Sequence, residues 1–246
     1  MKIIVCILII FLLSGCGGYK DNGSTLNEKI NVSPNPYDTE EWNRYRTQLY
    51  SYWEKYQNSG GGMSGDEKRS YLDSALFTIE SYENRFGQNE LSVMDRLGVL
   101  TTLKRYDMAA DYIRSISQPL FDRFPGQYKE ILFLRIRGMQ SFEKGDTIRE
   151  IESYKKILKL VEKEFSLIEN QINPYFESYG KEKSRDDTVW MVLCQLIAYT
   201  NMTYGHKVAE KRLDQLYKDY PCARHMDEIL RELAKTGFER LQFNGY

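Results

Sequence analysis

The sequence predicts an all-α protein in which antiparallel helix pairs stack on one another. Three observations carry this prediction. Apolar residues recur every three or four positions through most of the chain, and glycine or proline separates the segments that show this period. No segment alternates apolar and polar residues with the period of two that is typical of strands. With 246 residues, 41% of them hydrophobic, the chain is long enough to bury a sizeable core.

Capping residues and apolar stripes place the helices along the chain. Asp38 or Thr39 is suited to cap the first helix, and Ser64 with Glu67 forms a capping box for the second. Apolar stripes predict helices near residues 42–56, 72–86, 91–103, 109–116, 131–139, 148–165, 189–204, 207–220 and 224–241. Residues 169–187 are polar and predict an insertion loop.

The N-terminus has the pattern of a secretory signal peptide. Lys2 gives a positive start, and residues 3–13 form an apolar run that is shorter than the ~20 residues needed to cross a bilayer. The run ends in Leu13-Ser14-Gly15-Cys16. This stretch resembles the lipobox of bacterial lipoproteins. The resemblance implies a signal peptide over residues 1–15 and lipid on Cys16; the alternative is an ordinary signal peptide with an incidental cysteine.

The same resemblance implies a location in the cell envelope. Residue 17 is Gly rather than the Asp that retains lipoproteins in the inner membrane, so the resemblance implies the outer membrane. Residues 16–37 are rich in Gly, Asn, Ser and Pro and predict a flexible tether. Residues 38–246 are then expected to form one helical-repeat domain, held at the membrane through the N-terminal lipid.

A small residue recurs in the second helix of the predicted pairs. The motif is Ala followed four positions later by a large apolar residue, in Ala75 with Ile79, Ala109 with Ile113, and Ala209 with Leu213. Glu150 with Tyr154 is a degraded copy. The first two alanines are 34 residues apart, which is the period of tetratricopeptide repeats. A small side chain at such a position lets paired helices approach closely.

These features resemble the tetratricopeptide-repeat family. Arg105 to Ala110 is similar to the family's inter-helix turn, Gly138 stands where the family has its close-packing glycine, and Pro221 reproduces the terminal proline. The resemblance covers about residues 38–241 and is degenerate, since the later spacings are 41 and 59 residues. It implies a superhelix whose concave face, lined by the first helix of each pair, binds a peptide or protein. The alternative is an irregular α-helical bundle.

Charge and motifs argue against nucleic-acid binding and catalysis. With 34 basic and 35 acidic residues the net charge is -1, so no basic excess is present for a phosphate backbone. The sequence lacks a phosphate-binding glycine loop, a nucleophile elbow and an HExxH motif, and we expect neither an enzyme nor a cofactor. The spacing of Cys194, His206, Cys222 and His225 matches no standard zinc motif, so no metal is expected.

Two cysteines and five aromatic residues are the remaining candidates. Export to an oxidising compartment makes Cys194 and Cys222 candidates for a disulfide, and the alternative is two free thiols. The candidate binding surface consists of Trp42, Tyr45, Tyr50, Trp53 and Trp190. We expect most of these aromatic residues to be core, because aromatic stripes at helical spacing usually are.

The leading functional hypothesis is a membrane-anchored scaffold that binds an envelope protein or peptide. Two alternatives remain open. One is an outer-membrane lipoprotein that binds glycans or other nutrients, as in starch-utilisation systems, which also use tetratricopeptide-like helices. The other is the lipoprotein of the outer-membrane β-barrel assembly machinery, which has a similar size and layout.

Overall fold

The structure is a computed structural model that describes residues 39–59, 64–117, 120, 127–178 and 188–238. All regular secondary structure in this part of the chain is helical, which confirms the predicted all-α class. The helices are α1 (Glu40–Asn58), α2 (Gly65–Phe86), α3 (Glu90–Thr102), α4 (Tyr106–Ser115), α5 (Tyr128–Glu143), α6 (Thr147–Ile168), α7 (Ile172–Glu177), α8 (Thr188–Tyr204), α9 (His206–Asp219) and α10 (Asp227–Thr236). Short 3-10 segments, Glu169–Gln171 and Pro221–Met226, precede α7 and α10.

These helices form two compact units, and the boundary between them lies between Leu103 and Lys104 in the chain. The sequence predicts one domain over residues 38–246. In the first unit α1 packs along α2, and α2 packs along α3. In the second unit α5 packs against α4 and α6, and α8 packs against α6, α9 and α10. Apart from the short α7, each helix therefore contacts the one before it within its unit, as expected of helix pairs in antiparallel order.

Local capping decides where the first two helices begin. The Thr39 side chain accepts a hydrogen bond from the Trp42 amide at 3.1 Å. The predicted capping box is present, since the Glu67 amide donates to Ser64 Oγ at 3.2 Å and the Ser64 amide donates to Glu67 Oε2 at 2.8 Å. These contacts satisfy amides that have no partner within the helix itself. The other cap candidate, Asp38, lies outside the described residues.

The core of the second unit is centred on α8. Every residue from Val189 to Thr200 is buried, because α6, α9 and α10 surround this helix. Leu193 and Ile197 have no exposed surface. An apolar helix without a polar face is stable only in such surroundings. The apolar composition of residues 189–204 therefore explains why α8 lies at the centre of this unit.

Close packing in the second unit depends on a glycine in α5. A Cβ atom on Gly138 would lie 2.8 Å from Cε1 of Tyr154 and 3.5 Å from Cβ of Ser153, so α5 and α6 approach more closely than a larger residue allows. The alanines of the recurring motif are also fully buried: Ala75, Ala109 and Ala209. Small residues therefore lie at helix interfaces where the sequence predicts them.

The prediction of an insertion loop at residues 169–187 is wrong for residues 169–177. Residues 169–177 form a 3-10 turn and α7, and the side chains of Ile172 and Phe176 are buried in the core of the second unit. Pro174 occupies the first turn of α7, where a proline costs no hydrogen bond. Residues 179–187 lie outside the described residues.

The last helix is shorter than the predicted residues 224–241. It begins at Asp227, after the 3-10 segment that starts with Pro221, and ends at Thr236, before Gly237 with its φ of 58°. The chain then turns back, so that the Phe238 ring contacts the Tyr199 ring of α8 with centroids 5.2 Å apart.

Candidate functional site

The structure divides the five aromatic candidates between core and surface. Trp42, Tyr45, Trp53 and Trp190 are all less than a tenth exposed, which confirms that most of the five are core residues and removes these four from the candidate binding surface. The spacing of Trp42, Tyr45 and Trp53 along α1 turns them inward, as it does for most aromatic stripes, and Trp190 lies in α8, which is buried on all sides. Tyr50 is the exception. It lies off the buried stripe of α1, and 56% of its surface is exposed.

Tyr50 belongs to a group of interacting side chains in the first unit, which we term the Arg46 cluster: Tyr45, Arg46, Tyr50 and Asp95. Arg46 Nη1 donates to Asp95 Oδ2 at 2.5 Å, and the Tyr45 hydroxyl donates to the same oxygen at 2.8 Å. Arg46 also donates to the hydroxyl of Tyr50. Its guanidinium carbon lies 4.6 Å from the centroid of the Tyr50 ring, within the range of a cation–π contact.

The electrostatics of the cluster hold the guanidinium in one place. Burial, together with the neighbouring Asp95 carboxylate, raises the pKa of the Tyr45 hydroxyl well above its usual range. Tyr45 therefore stays protonated and remains a donor to Asp95 at physiological pH. The Trp42 ring is also close to Arg46, with its centroid 5.6 Å from the guanidinium carbon. These neighbours restrain Arg46, and Tyr50 is the accessible member of the cluster.

A second set of ion pairs fixes α3 against α2 and so positions Asp95. Arg96 Nη1 donates to Glu83 Oε2 at 2.8 Å, and Arg96 Nη2 donates to Glu80 Oε1 at 2.7 Å. The buried carboxylate of Glu83 also accepts a hydrogen bond from Ser92 Oγ at 3.0 Å. A buried carboxylate such as that of Glu83, whose side chain is 4% exposed, needs several partners, and here it has them.

The geometry of the Arg46 cluster suits non-covalent recognition. A tyrosine ring that is exposed and restrained loses little conformational entropy when a partner covers it. Tyrosine and arginine are also the residue types that contribute most to affinity at protein interfaces. The sequence indicates Tyr50 as an aromatic candidate but misses Arg46 and Asp95. Arg46 lies one turn before Tyr50 on the same helix, so the sequence offers a signal for this pair. Asp95 lies 49 residues after Arg46, and no local sequence pattern indicates it.

Metal clusters and membrane-spanning helices are both absent from the described part of the chain. In that part, no group of three His, Cys, Asp or Glu side chains is arranged to hold a metal ion. None of its helices combines the length and the apolarity needed to cross a membrane.

The two candidate disulfide cysteines are free thiols in the structure. Cys194 is buried inside α8, and Cys222 is partly exposed in the 3-10 segment that follows α9. The structure therefore contains two free thiols, which is the alternative to the candidate disulfide. The physical reason is position: one cysteine points into the core from the middle of a helix, and the other lies past the end of the neighbouring helix.

We expect alkylating reagents to modify Cys222 in the native protein and to spare Cys194. Burial raises the pKa of the Cys194 thiol well above its usual range, which leaves almost no reactive thiolate at neutral pH. The reaction at Cys194 should be slower by roughly a hundredfold or more. Timed alkylation followed by peptide mass spectrometry measures both rates, with the denatured chain as control. Equal native rates would contradict the buried position of Cys194.

The lipobox residues Leu13 to Cys16 and the tether over residues 16–37 lie outside the described residues. The chain matches no protein-family model, no curated protein and no solved structure. Any function assigned to it therefore depends on the contacts described above and on the sequence motifs.

Proposed function

We propose that this protein is a lipid-anchored lipoprotein of the cell envelope whose helical body binds a protein or peptide partner as a scaffold. The observation that carries the binding role is the Arg46 cluster, in which the exposed Tyr50 ring lies against a restrained guanidinium. The anchor is supported by the apolar run and by the lipobox-like residues that end in Cys16.

The tetratricopeptide-like arrangement is part of this proposal. The close approach of α5 and α6 at Gly138 and the buried alanines of the recurring motif support it. In such a stack the first helix of each pair lines the concave face. By the sequence repeat, α1 and α3 are first helices. Arg46 and Tyr50 on α1 and Asp95 on α3 then belong to the face that such proteins use for binding.

A protein or peptide fits the cluster better than a glycan does. Sugars bind by stacking on an open, flat aromatic face, whereas Arg46 lies over the Tyr50 ring. An arginine that is restrained by a carboxylate and beside a tyrosine is typical of the well-packed centre of a protein interface.

We expect a photo-crosslinking amino acid at position 50 to capture one protein in cells that produce the full chain. Position 77 is the matched control, because Phe77 is also exposed, at 72%, and lies on α2 of the same unit. Crosslinking at position 50 should give a discrete product that position 77 does not give. Immunoblotting and mass spectrometry of the crosslinked product provide the measurement.

A second variant tests whether the cluster itself contributes. The photo-crosslinking amino acid at position 50 is chosen to keep an aromatic ring, so that the contact of Arg46 with the ring is retained. Arg46→Lys keeps the positive charge but loses the planar group that pairs with Asp95 and lies over this ring. It should lower the yield of the product at position 50 by about tenfold, with circular dichroism to verify that the helices are intact. The absence of a crosslinked product at position 50, or equal yields at positions 50 and 77, would contradict the proposed binding role.

A further inference from the structure

One end of the second unit carries most of its exposed large apolar side chains. Among the described residues of that unit these side chains are Met108, Phe142, Ile148, Leu167, Tyr204 and Val208. All six lie in the first three or last two residues of a helix. All except Leu167, which lies at the opposite end of α6 from Ile148, are next to the short turns before α4, between α5 and α6, and between α8 and α9. We term these five residues the turn edge.

The packing of α4 on α5 brings the first two members of the turn edge to the same end. Arg137 Nη1 donates to Asp107 Oδ1 at 2.7 Å, and Gln140 Nε2 donates to Asp107 Oδ2 at 3.0 Å. The start of α4 therefore lies beside the last turns of α5. Met108 and Phe142, which are neighbours of these residues in sequence, share that end.

The packing of α6 on α8 brings the remaining members to this end. The Tyr154 ring, in the first half of α6, lies 6.2 Å from the Tyr199 ring, in the second half of α8. The Phe165 ring, near the end of α6, lies 6.0 Å from the Tyr220 ring, just past the end of α9. The start of α6 therefore lies at the same end of the unit as the end of α8 and the start of α9. Ile148 and Tyr204 lie there, and Val208 follows directly at the start of α9.

Basic residues are interspersed with these apolar side chains. Lys144 follows Phe142 in the turn between α5 and α6, and Lys207 precedes Val208 at the start of α9. Both lysines are exposed, and neither forms an ion pair within the described part of the chain. Two positive charges are thus available beside exposed apolar groups.

The acidic residues of these turns are already engaged. Glu143 forms an ion pair with Lys104, and Asp146 forms one with Arg149 at 3.4 Å. Their negative charges are therefore compensated locally. Asp107 accepts hydrogen bonds from Arg137 and Gln140 and also interacts electrostatically with Lys144. In the three turns and the helix ends beside them, five basic residues outnumber three acidic ones: Lys104, Arg105, Lys144, Arg149 and Lys207 against Asp107, Glu143 and Asp146. The turn edge therefore has an excess of positive charge and is complementary to an anionic surface.

We propose that the turn edge docks onto a bilayer that contains anionic phospholipids. The apolar side chains enter the boundary between headgroups and acyl chains, and Lys144 and Lys207 contact lipid phosphates. Lysine is depleted at protein interfaces, whereas lysines beside exposed apolar side chains are typical of surfaces that bind anionic membranes. The biological setting rests on the proposed membrane anchor: the lipid would hold the chain at the bilayer, and the turn edge would orient it there.

The proposal is tested by measuring which residues contact lipid when the full chain is bound to vesicles. An environment-sensitive fluorophore is attached to Ile148→Cys or to Leu167→Cys, in a chain whose other reactive cysteines are serines. Leu167 is the matched control, because it is 65% exposed in the same unit but lies away from the turn edge. The vesicles contain phosphatidylglycerol and a lipid with a quencher on its acyl chain.

We expect quenching at position 148 to exceed that at position 167 severalfold, irrespective of how the N-terminus binds. Replacing Lys144 and Lys207 by alanine should weaken binding to phosphatidylglycerol vesicles by about fivefold for each lysine and leave binding to phosphatidylcholine vesicles unchanged. Equal quenching at the two positions overturns the proposal, as does a lysine effect that is independent of lipid charge.

The anchor is measured separately, so that the two proposals fail in different ways. Cys16→Ser should release the chain from the membrane fraction of cells and remove the lipid mass from the mature protein. If Cys16→Ser changes neither the membrane association nor the mass of the mature protein, the lipoprotein assignment fails. The quenching experiment on vesicles still decides whether the turn edge contacts lipid.

Discussion

Leu193→Ala is expected to lower the free energy of unfolding of the second unit by about 2–5 kcal/mol. Leu193 has no exposed surface and lies in α8, which α6, α9 and α10 surround. Removal of its side chain loses the transfer energy of the deleted carbons and leaves a cavity. Because three helices support the site, the surrounding residues cannot easily collapse into that cavity, which favours the upper part of the range.

The control for this prediction is the same substitution at a surface position. Leu167→Ala removes the same atoms from a side chain that is 65% exposed, and it should change the free energy of unfolding by less than about 0.5 kcal/mol. Urea denaturation followed by circular dichroism measures both variants. Similar effects at the two positions would mean that α8 is not the centre of the core.

Gly138→Ala is expected to destabilise the protein by about 1–2 kcal/mol, although alanine is the better helix former. The added Cβ would lie 2.8 Å from Cε1 of Tyr154, a ring that is itself buried and cannot move into solvent. Either the ring shifts or α5 moves away from α6. The cost of this overpacking, about 1–3 kcal/mol, exceeds the gain in helix propensity.

The matched control for Gly138 is another helical glycine. A Cβ added to Gly98, in α3 of the first unit, would meet no atom within 4 Å, so Gly98→Ala should be neutral or stabilising by up to about 1 kcal/mol. Thermal unfolding of both variants gives the comparison, and opposite signs are expected. In a background with Tyr154→Leu, Gly138→Ala should cost less than it does in the natural chain, because the colliding ring is gone.

Two surfaces follow from the same fold and are tested by different experiments. The Arg46 cluster belongs to the first unit and is proposed to contact a protein or peptide, whereas the turn edge belongs to the second unit and is proposed to contact lipid. Neither surface is indicated by a catalytic or metal-binding motif. Both depend on side chains that the packing of the helices leaves exposed.

The sequence by itself determined the features that depend on neighbouring residues. The helical class, the cap at Thr39, the capping box at Ser64 and the burial of the recurring alanines all follow from local spacing and from the chemistry of a few adjacent groups. The close contact at Gly138 also agrees with the expectation for that position that the resemblance to tetratricopeptide repeats implies.

Only the tertiary structure decided which side chains meet and which remain exposed. The pairing of Arg46 with Asp95, the exposure of Tyr50 beside the buried Tyr45, and the separation of Cys194 from Cys222 each depend on how distant helices pack. The physical reason is that helical periodicity defines the apolar face of one element but not the partner that covers it. Burial, ion pairing and exposed edges arise only after the helices have packed together.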